Sequence, residues 1–495
     1  MENQRSVWVD CVEETYRCHF LRAGIFSLLE LLVLWSLSVP SIAQEAPPTS
    51  TQPWSPPSGI SLSSPESTAT VPVLDPSKIY TLPELINVAE TNNPETRVAW
   101  QNAKARAAEV GIAEADLYPA LAASVIAQSA RNNVFFSPTY YRQTTESFSP
   151  VLSLDYVVFD FGRRSQNIAV SKSNLLAANF RFNDTHRKVI FQVMQTYYQL
   201  LNSKGQEEAA EATLKNAQTV QEAAEARLQA GLATLPDVLE ARSATAQADY
   251  DLQATIGATE IAHGDLATAM STSPTVGFQV ESIQNLTIPQ DLTETVETSI
   301  DKALAQRPDL MQRVQELRAA ESTVKLARRN YLPSLKIGGA AGLAKTYNQQ
   351  NQLPGLYSPN QELWNARLSL TWNLFDGFAR ENRLARSKAD ENQAAAALKS
   401  LRDQVENQVW SAYSTARTAL RQQKAAAALL AASTESYNAA IQSSTYGVRS
   451  QIDVVSAQRT LAVARTAEVN ARTQLLIGVA ALAFETGNLL YAKGP

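Results

Sequence analysis

The chain has 495 residues, 45% hydrophobic and 18% charged, with a formal net charge of −5. So mild a charge, with no basic stripe among aromatics, excludes nucleic acid as a partner. Both cysteines, Cys11 and Cys18, precede the first apolar run, which excludes a disulfide framework, thiol chemistry and a lipid-anchoring cysteine after it.

The first element reads as an export signal over residues 1–43. Arg17 and Arg22 flank an apolar run ending near Val39, and Ser41 and Ala43 are the small residues that cleavage after Ala43 requires. The run is shorter than the about 20 residues of a membrane span, a retained anchor being the alternative. Residues 44–78, rich in Pro, Ser and Thr, cannot bury a core and are expected to be a disordered linker.

Two matching halves follow: a first repeat over 79–273, a linker over 274–290, a second repeat over 291–487 and a tail over 488–495. Each half opens with a short helix, near 82–91 and 296–306, stopped at Asn93-Pro94 and Arg307-Pro308. Each proline starts a new helix, where its missing N–H costs nothing. Those helices run to Tyr118-Pro119 and Leu332-Pro333, where proline ends them.

Two strands are expected next in each half, joined by polar loops over 131–147 and 346–361. In 366–375, Leu368, Leu370, Trp372 and Leu374 alternate with Arg367, Ser369, Thr371 and Asn373, a period of two. In the first half, Leu152, Leu154, Tyr156 and Val158 oppose Ser153 and Asp155. Strands of about 10 residues suffice to cross a bilayer when tilted. The greasy face is expected to meet lipid and the polar one a wet interior. A soluble sandwich is the rival, but its apolar face would need a cover, and the flanking helices are committed elsewhere. Phe148, Tyr156, Trp364 and Trp372 suit a lipid interface, although aromatics also pack on any sheet.

After VLSLDYVVFDFGRR (151–164) and RLSLTWNLFDGFAR (367–380) the period changes to about 3.6. Long helices are expected over 163–230 and 378–446. Leu398, Leu401, Val405, Val409, Ala412, Ala416 and Leu420 step by three and four, as do Phe182, Val189, Val193, Thr196 and Leu200, which is a coiled-coil seam. Such a rod is about 100 Å long. Each ends at a glycine, Gly231 or Gly447. Return helices begin at Thr234-Leu235-Pro236-Asp237 and Ser450-Gln451-Ile452-Asp453, both capping-box patterns, and run to about Met270 and Phe484.

Four strands leave two open edges, which hydrocarbon does not tolerate. Copies must therefore close the barrel. Eight strands nearly fill their own interior, so a polar inner face asks for at least three copies. The expected fold is mainly α with transmembrane β: a long antiparallel coiled-coil barrel, and a β-barrel completed by trimerisation.

The order of elements, the Phe-Asp junction with its glycine, and the Gly-x5-Asp-Val turns at a common offset of about 216 residues resemble the TolC-like outer-membrane efflux protein family. The resemblance implies a homotrimer in outer-membrane lipid with a helical tunnel in the periplasm, no cofactor, a periplasmic adaptor, and an inner-membrane transporter of RND, ABC or MFS type. It places Asp453 at the narrowest ring, with Asp237, Glu240 and Arg449 beside it, and Ser456 where a second acidic ring would need a carboxylate. Arg227, Gly231, Ser444 and Gly447 fall where adaptors dock. Three copies of Asp453 would repel anions and bind cations; an Asp in a first turn is also ordinary capping and dipole chemistry.

An enzyme is not expected. His186 and His263 lie alone on helices, His19 lies in the signal, and no phosphate loop or metal-ligand cluster is present. The rival functions are a structural or adhesive coiled-coil envelope protein, which would not need the period-two strands, and a surface hydrolase on a stalk, which would need a catalytic cluster.

Overall fold

A computed structural model describes residues 74–136, 139–350, 353–446 and 448–490. The expected signal, most of the expected linker and Gly447 lie outside those residues. The first half comprises β1 (Ile79–Tyr80), α1 (Leu82–Asn92), α2 (Pro94–Ala115), β2 (Ala120–Phe136), β3 (Thr139–Phe159), α3 (Arg163–Gln229) and α4 (Leu235–Ala269). After β4 (Gln279–Val280) the second comprises α5 (Val296–Gln306), α6 (Pro308–Arg329), β5 (Ser334–Gln350), β6 (Leu353–Thr371), α7 (Ala379–Thr445) and α8 (Gln451–Thr486).

The long helices α3 and α7 have 67 residues each, α2 and α6 have 22, and α4 and α8 have 35 and 36. Pro94 and Pro308 occupy first turns, and the Asn93 side chain caps α2 by accepting from Glu95 N at 2.7 Å. On the α7 seam Val405, Val409, Ala416 and Leu420 are buried, and on α3 so are Val189, Val193 and Leu200. No helix among the described residues is long and apolar enough to cross a membrane.

The helices form one wall. α3 packs on α2 and α4 along one side and on α6 and α8 along the other, and α7 packs on α6 and α8. The strands form an antiparallel sheet in the order β2-β3-β5-β6. Lateral order is therefore shared: α2 leads into β2, β3 into α3, α6 into β5 and β6 into α7. At mid-height a core gathers Leu85, Val193, Tyr197, Leu200, Leu201, Leu266, Met270 and Ile283.

Three expectations are corrected. The strands hold 17 to 21 residues rather than about 10, because the stretches read as polar loops continue the ladder: Asn132 pairs with Gln143, and Tyr347 with Glu146. Thr, Tyr and Phe favour a pleated backbone, and in a ladder their peptide groups are paired whatever the side chains' polarity. β6 also stops at Thr371, so Trp372, Asn373 and Leu374 are not strand residues. The Arg380 guanidinium takes the carbonyls of Asn373 and Leu374 and so withdraws the chain from the ladder.

The stretches read as linkers are, third, partly core. Leu74 is buried, β4 pairs in parallel with β1, and Phe278, Val280 and Ile283 are buried. An apolar residue spaced among polar ones carries too little periodicity to show this in sequence.

Candidate functional site

Each strand-to-helix junction reverses the chain through two consecutive left-handed residues, Phe161 (φ 55°) and Gly162 (φ 83°) in one half, Gly377 (φ 67°) and Phe378 (φ 64°) in the other. A left-handed phenylalanine costs about 1 kcal/mol or more, so something must hold it. Asp160 does so: its carboxylate accepts from Gly162 N at 3.1 Å, Arg164 N at 2.9 Å and Arg164 Nε at 3.1 Å. Arg164 then donates to the carbonyl of Asp116 at the end of α2. Asp376 and Arg380 repeat the pair at 3.2 Å. The motif is thus a locked corner. The arginine four residues past each aspartate was visible in the sequence, but its partner was not.

Above the junction the sheet has two unlike faces. Residues directly opposite each other share a face. One face carries Leu121, Val125, Phe148, Leu152, Leu154, Ile337, Leu343, Trp364, Leu368 and Leu370, and most of these stand exposed. This apolar patch spans about nine to eleven residues of strand, the length of a tilted membrane crossing. Phe148 and Trp364 mark its outer rim. Trp372, with its indole N–H on the Tyr331 carbonyl at 3.0 Å, marks the inner one near exposed Tyr118, Phe159, Phe375 and Phe378.

The other face carries Ser124, Gln128, Ser153, Asp155, Lys336, Arg367, Ser369 and Thr371, with apolar exceptions such as Ile126 and Val151. There Arg367 and Asp155 pair at 3.0 Å across the intervening strand β5. Gly338 makes that span available: a Cβ on it would stand 2.7 Å from Arg367 Nε and 3.0 Å from Asp155 Oδ1.

At the opposite end α3 closes on Gly231 (φ 75°), with Leu232 N donating to Arg227 O at 2.8 Å. Val448 N repeats that bond to Ser443 O at 2.9 Å after α7. Both return helices start with capping boxes. Asp237 Oδ2 accepts from Thr234 N at 2.9 Å and its hydroxyl at 2.6 Å, and Asp453 Oδ2 accepts from Ser450 N at 3.1 Å and its hydroxyl at 2.9 Å. Those bonds, first the hydroxyls and then the backbone, hold both carboxyls below the usual carboxylate range, with Arg227 and Arg449 adding a smaller pull. Both are charged at neutral pH.

The remaining tip residues tie the halves together. Arg227 donates to the Ser444 carbonyl at 3.0 Å and its hydroxyl at 3.1 Å, linking α3 to α7. Glu240 pairs with Arg459 at 3.0 Å, linking α4 to α8. Arg449 and Ser456 are exposed, and the Ser456 carbonyl accepts from Thr460.

Sequence reasoning missed a buried charged cluster at mid-height. Arg187 on α3 pairs with Asp184 at 2.6 Å and donates to the Phe484 carbonyl at 3.0 Å. Arg307, just before α6, pairs with Asp309 at 2.7 Å and Glu485 at 2.6 Å. Arg187 also lies 3.8 Å from Asp309, so three helices share one network. Burial pushes the Asp309 carboxyl up, but the Arg307 hydrogen bonds and charge outweigh it and leave it below the ordinary value. Arg307-Pro308-Asp309 stood in plain view as a helix start, and only the third dimension brings Glu485 to it. Of the described histidines, His186 lies 3.3 Å from the Glu90 carboxylate, and His263 stacks on Phe278. No group of metal-ligating side chains gathers among the described residues.

The outer membrane efflux protein model matches residues 85–272 and again 299–488. The chain belongs to the outer membrane efflux protein family. The double match also supports the internal repeat. Similar proteins include CyaE of Bordetella pertussis, 25% identical over 337 residues, which cover 68% of this chain and 69% of that one. The cation efflux system protein CusC of Escherichia coli K12 is 24% identical over 57% of this chain and 59% of its own; the chain thus spans less than two thirds of CusC. The solved outer-membrane channel OprN superposes with a TM-score of 0.71 at 20% identity, covering 86% of this chain and 95% of that one. As an outer membrane efflux protein, the chain is a channel component whose strands lie at the outer membrane and whose long helices stand in the periplasm. A non-transporting adhesive role is not favoured.

Proposed function

We propose that three copies close around one axis into a 12-stranded barrel and a helical tunnel, forming a passive exit duct. The observation that carries this is the shared lateral order. The open edges of the sheet, β2 and β6, continue into the flanks of the helical wall, α2 with α4 on one side and α7 on the other. Those flanking helices expose Val98, Ile112, Tyr250 and Ile261 on one side and Trp410 and Leu429 on the other. One head-to-tail contact, repeated, would pair both strand edges and cover both flanks. Three copies leave a water-filled bore lined by the Arg367–Asp155 face, and put Leu368, Leu370 and Trp372 against lipid.

At the tip the Asp453 carboxylates, with Asp237, Glu240 and Arg449, form the constriction, and Ser456 leaves the second turn uncharged. Arg227, Gly231, Ser444 and Gly447 dock a periplasmic adaptor, which joins the duct to an inner-membrane transporter supplying the energy. The helical tips favour such a partner because both are short turns at the far end of rods about 100 Å long. Transport rather than catalysis is the whole activity.

The test is single-channel recording in a planar bilayer with native mass measurement. A trimer with a steady, cation-favouring conductance, its selectivity weakened by Asp453→Ala, supports the reading. A monomer that leaves the bilayer silent sinks it.

A further inference from the structure

The strands overshoot the apolar patch. From Phe148, β3 runs about nine more residues outward to Thr139, roughly 30 Å of strand at about 3.3 Å per residue. Tilted by about 45°, that raises the hairpin about 20 Å above the apolar rim. A phospholipid headgroup layer is only about 5–8 Å thick. The outer half of the sheet therefore stands in something taller than phospholipid headgroups.

On the face continuous with the apolar patch, this outer half is polar and cationic. At the rim Lys345 stands directly opposite Phe148 and Glu362 opposite Leu343, and one row beyond Phe148 comes Glu146, diagonal to Lys345. The next rows carry Arg131 opposite Thr144 and Asn133 opposite Arg142. Arg131 and Arg142 are diagonal neighbours on one face of one hairpin, and both are exposed. Arg131 Nε donates to Thr144 Oγ1 at 3.0 Å, which stands the guanidinium over the strand pair. Phe135 and Tyr140, with ring centroids 4.8 Å apart, close the top of the same face.

Resting on the barrel reading above, we propose that Arg131 and Arg142, assisted by Asn133 and Thr144, bind the phosphate groups of an outer-leaflet glycolipid. Two guanidinium groups side by side present paired donors to a phosphate, the geometry in which arginine exceeds lysine. Their height favours a sugar-borne phosphate, because both sit beyond the phospholipid headgroup layer. Glu146, the other diagonal neighbour of Arg131, and Glu362 lie on the side towards the apolar rim and keep a phosphate up on the Arg142 side. In the trimer the pair recurs on three sides, so the glycolipid forms a collar outside the bore.

The experiment uses the full-length protein in mild detergent, titrated with phosphorylated lipopolysaccharide, with the same lipopolysaccharide dephosphorylated, and with phosphatidylglycerol. Bound lipid is counted by native mass spectrometry, and each sample is also recorded in a planar bilayer. The expected result is preferential uptake of the phosphorylated glycolipid, reduced about tenfold or more in R131Q/R142Q, a loss equivalent to about 1.4 kcal/mol. Uptake is retained in R131K/R142K to an intermediate degree, and unchanged in Lys336→Gln on the opposite face. Equal uptake of the dephosphorylated lipid, equal uptake of phosphatidylglycerol, or an unaltered R131Q/R142Q each overturns the proposal. Conductance separates the two readings. A wild type that conducts while its lipid uptake ignores both arginines refutes the collar alone, whereas a wild type that never conducts refutes the barrel and the collar with it.

Discussion

At mid-height Arg187 and Arg307 are 1% and 3% exposed and share Asp184, Asp309 and Glu485 among three helices. At the tip Arg449 and Asp453 stand in solvent, and the Glu240–Arg459 pair is largely open. Breaking a buried pair leaves an uncompensated charge in low dielectric, whereas an exposed pair is replaced by water at little cost. The wall is therefore locked at its middle and only latched at its end. The difference is measurable.

The largest effect is expected at the lock. Arg307→Ala should cost about 3–5 kcal/mol because it strands Asp309 and Glu485, read as a lowered urea midpoint of the helical wall. A loss under 1 kcal/mol would mean the cluster is ornamental. The same lock gives an acid limb. The folded-state carboxyl of Asp309 lies below its unfolded value, so its stabilisation is complete above about pH 4 and fades as pH falls through the lowered value. Wild type should lose stability across that acid window, and Arg307→Ala should lose much less, measured by unfolding at stepped pH.

Next come the corners. Gly162→Val forces a β-branched side chain to φ 83° with no clash to blame, and should cost about 1–2 kcal/mol by backbone strain alone. Caps rank third: Thr234→Ala and Ser450→Ala should each cost about 1 kcal/mol, and each should raise the apparent pKa of the aspartate it serves, followed by NMR titration. Smallest is the latch. Glu240→Gln should change stability by less than about 1 kcal/mol while increasing channel opening in bilayer recordings. A latch variant as destabilising as Arg307→Ala would erase the contrast.

What the sequence disclosed follows the range of each force. Helix lengths, proline starts, capping boxes and the coiled-coil seam are local, and the expected ranges fall within a residue or two of α3 and α7. Facing on the strands followed from alternation at Arg367 to Thr371. Strand length did not, because outside the apolar patch polar residues recur on both faces, and such a stretch resembles a loop. The end of β6 depends on Arg380 reaching back seven residues to the Asn373 carbonyl, a tertiary choice that no period encodes. The mid-height cluster joins residues from Asp184 to Glu485, so no local window contains it. Of the tip residues, the capping roles of Asp237 and Asp453 were legible from spacing, whereas the Arg227–Ser444 and Glu240–Arg459 ties required the halves to be brought together.

The two unfinished sheet edges bear on biogenesis. A single copy placed in the outer membrane would hold the N–H and C=O groups of β2 and β6 in hydrocarbon, a cost that forbids a stable lone intermediate. On the proposed three-copy barrel, insertion and association would then be one event. In that proposed ring, a copy with a ruined β2 edge but sound helices would still be recruited, and one such passenger would leave a seam that spoils the whole assembly.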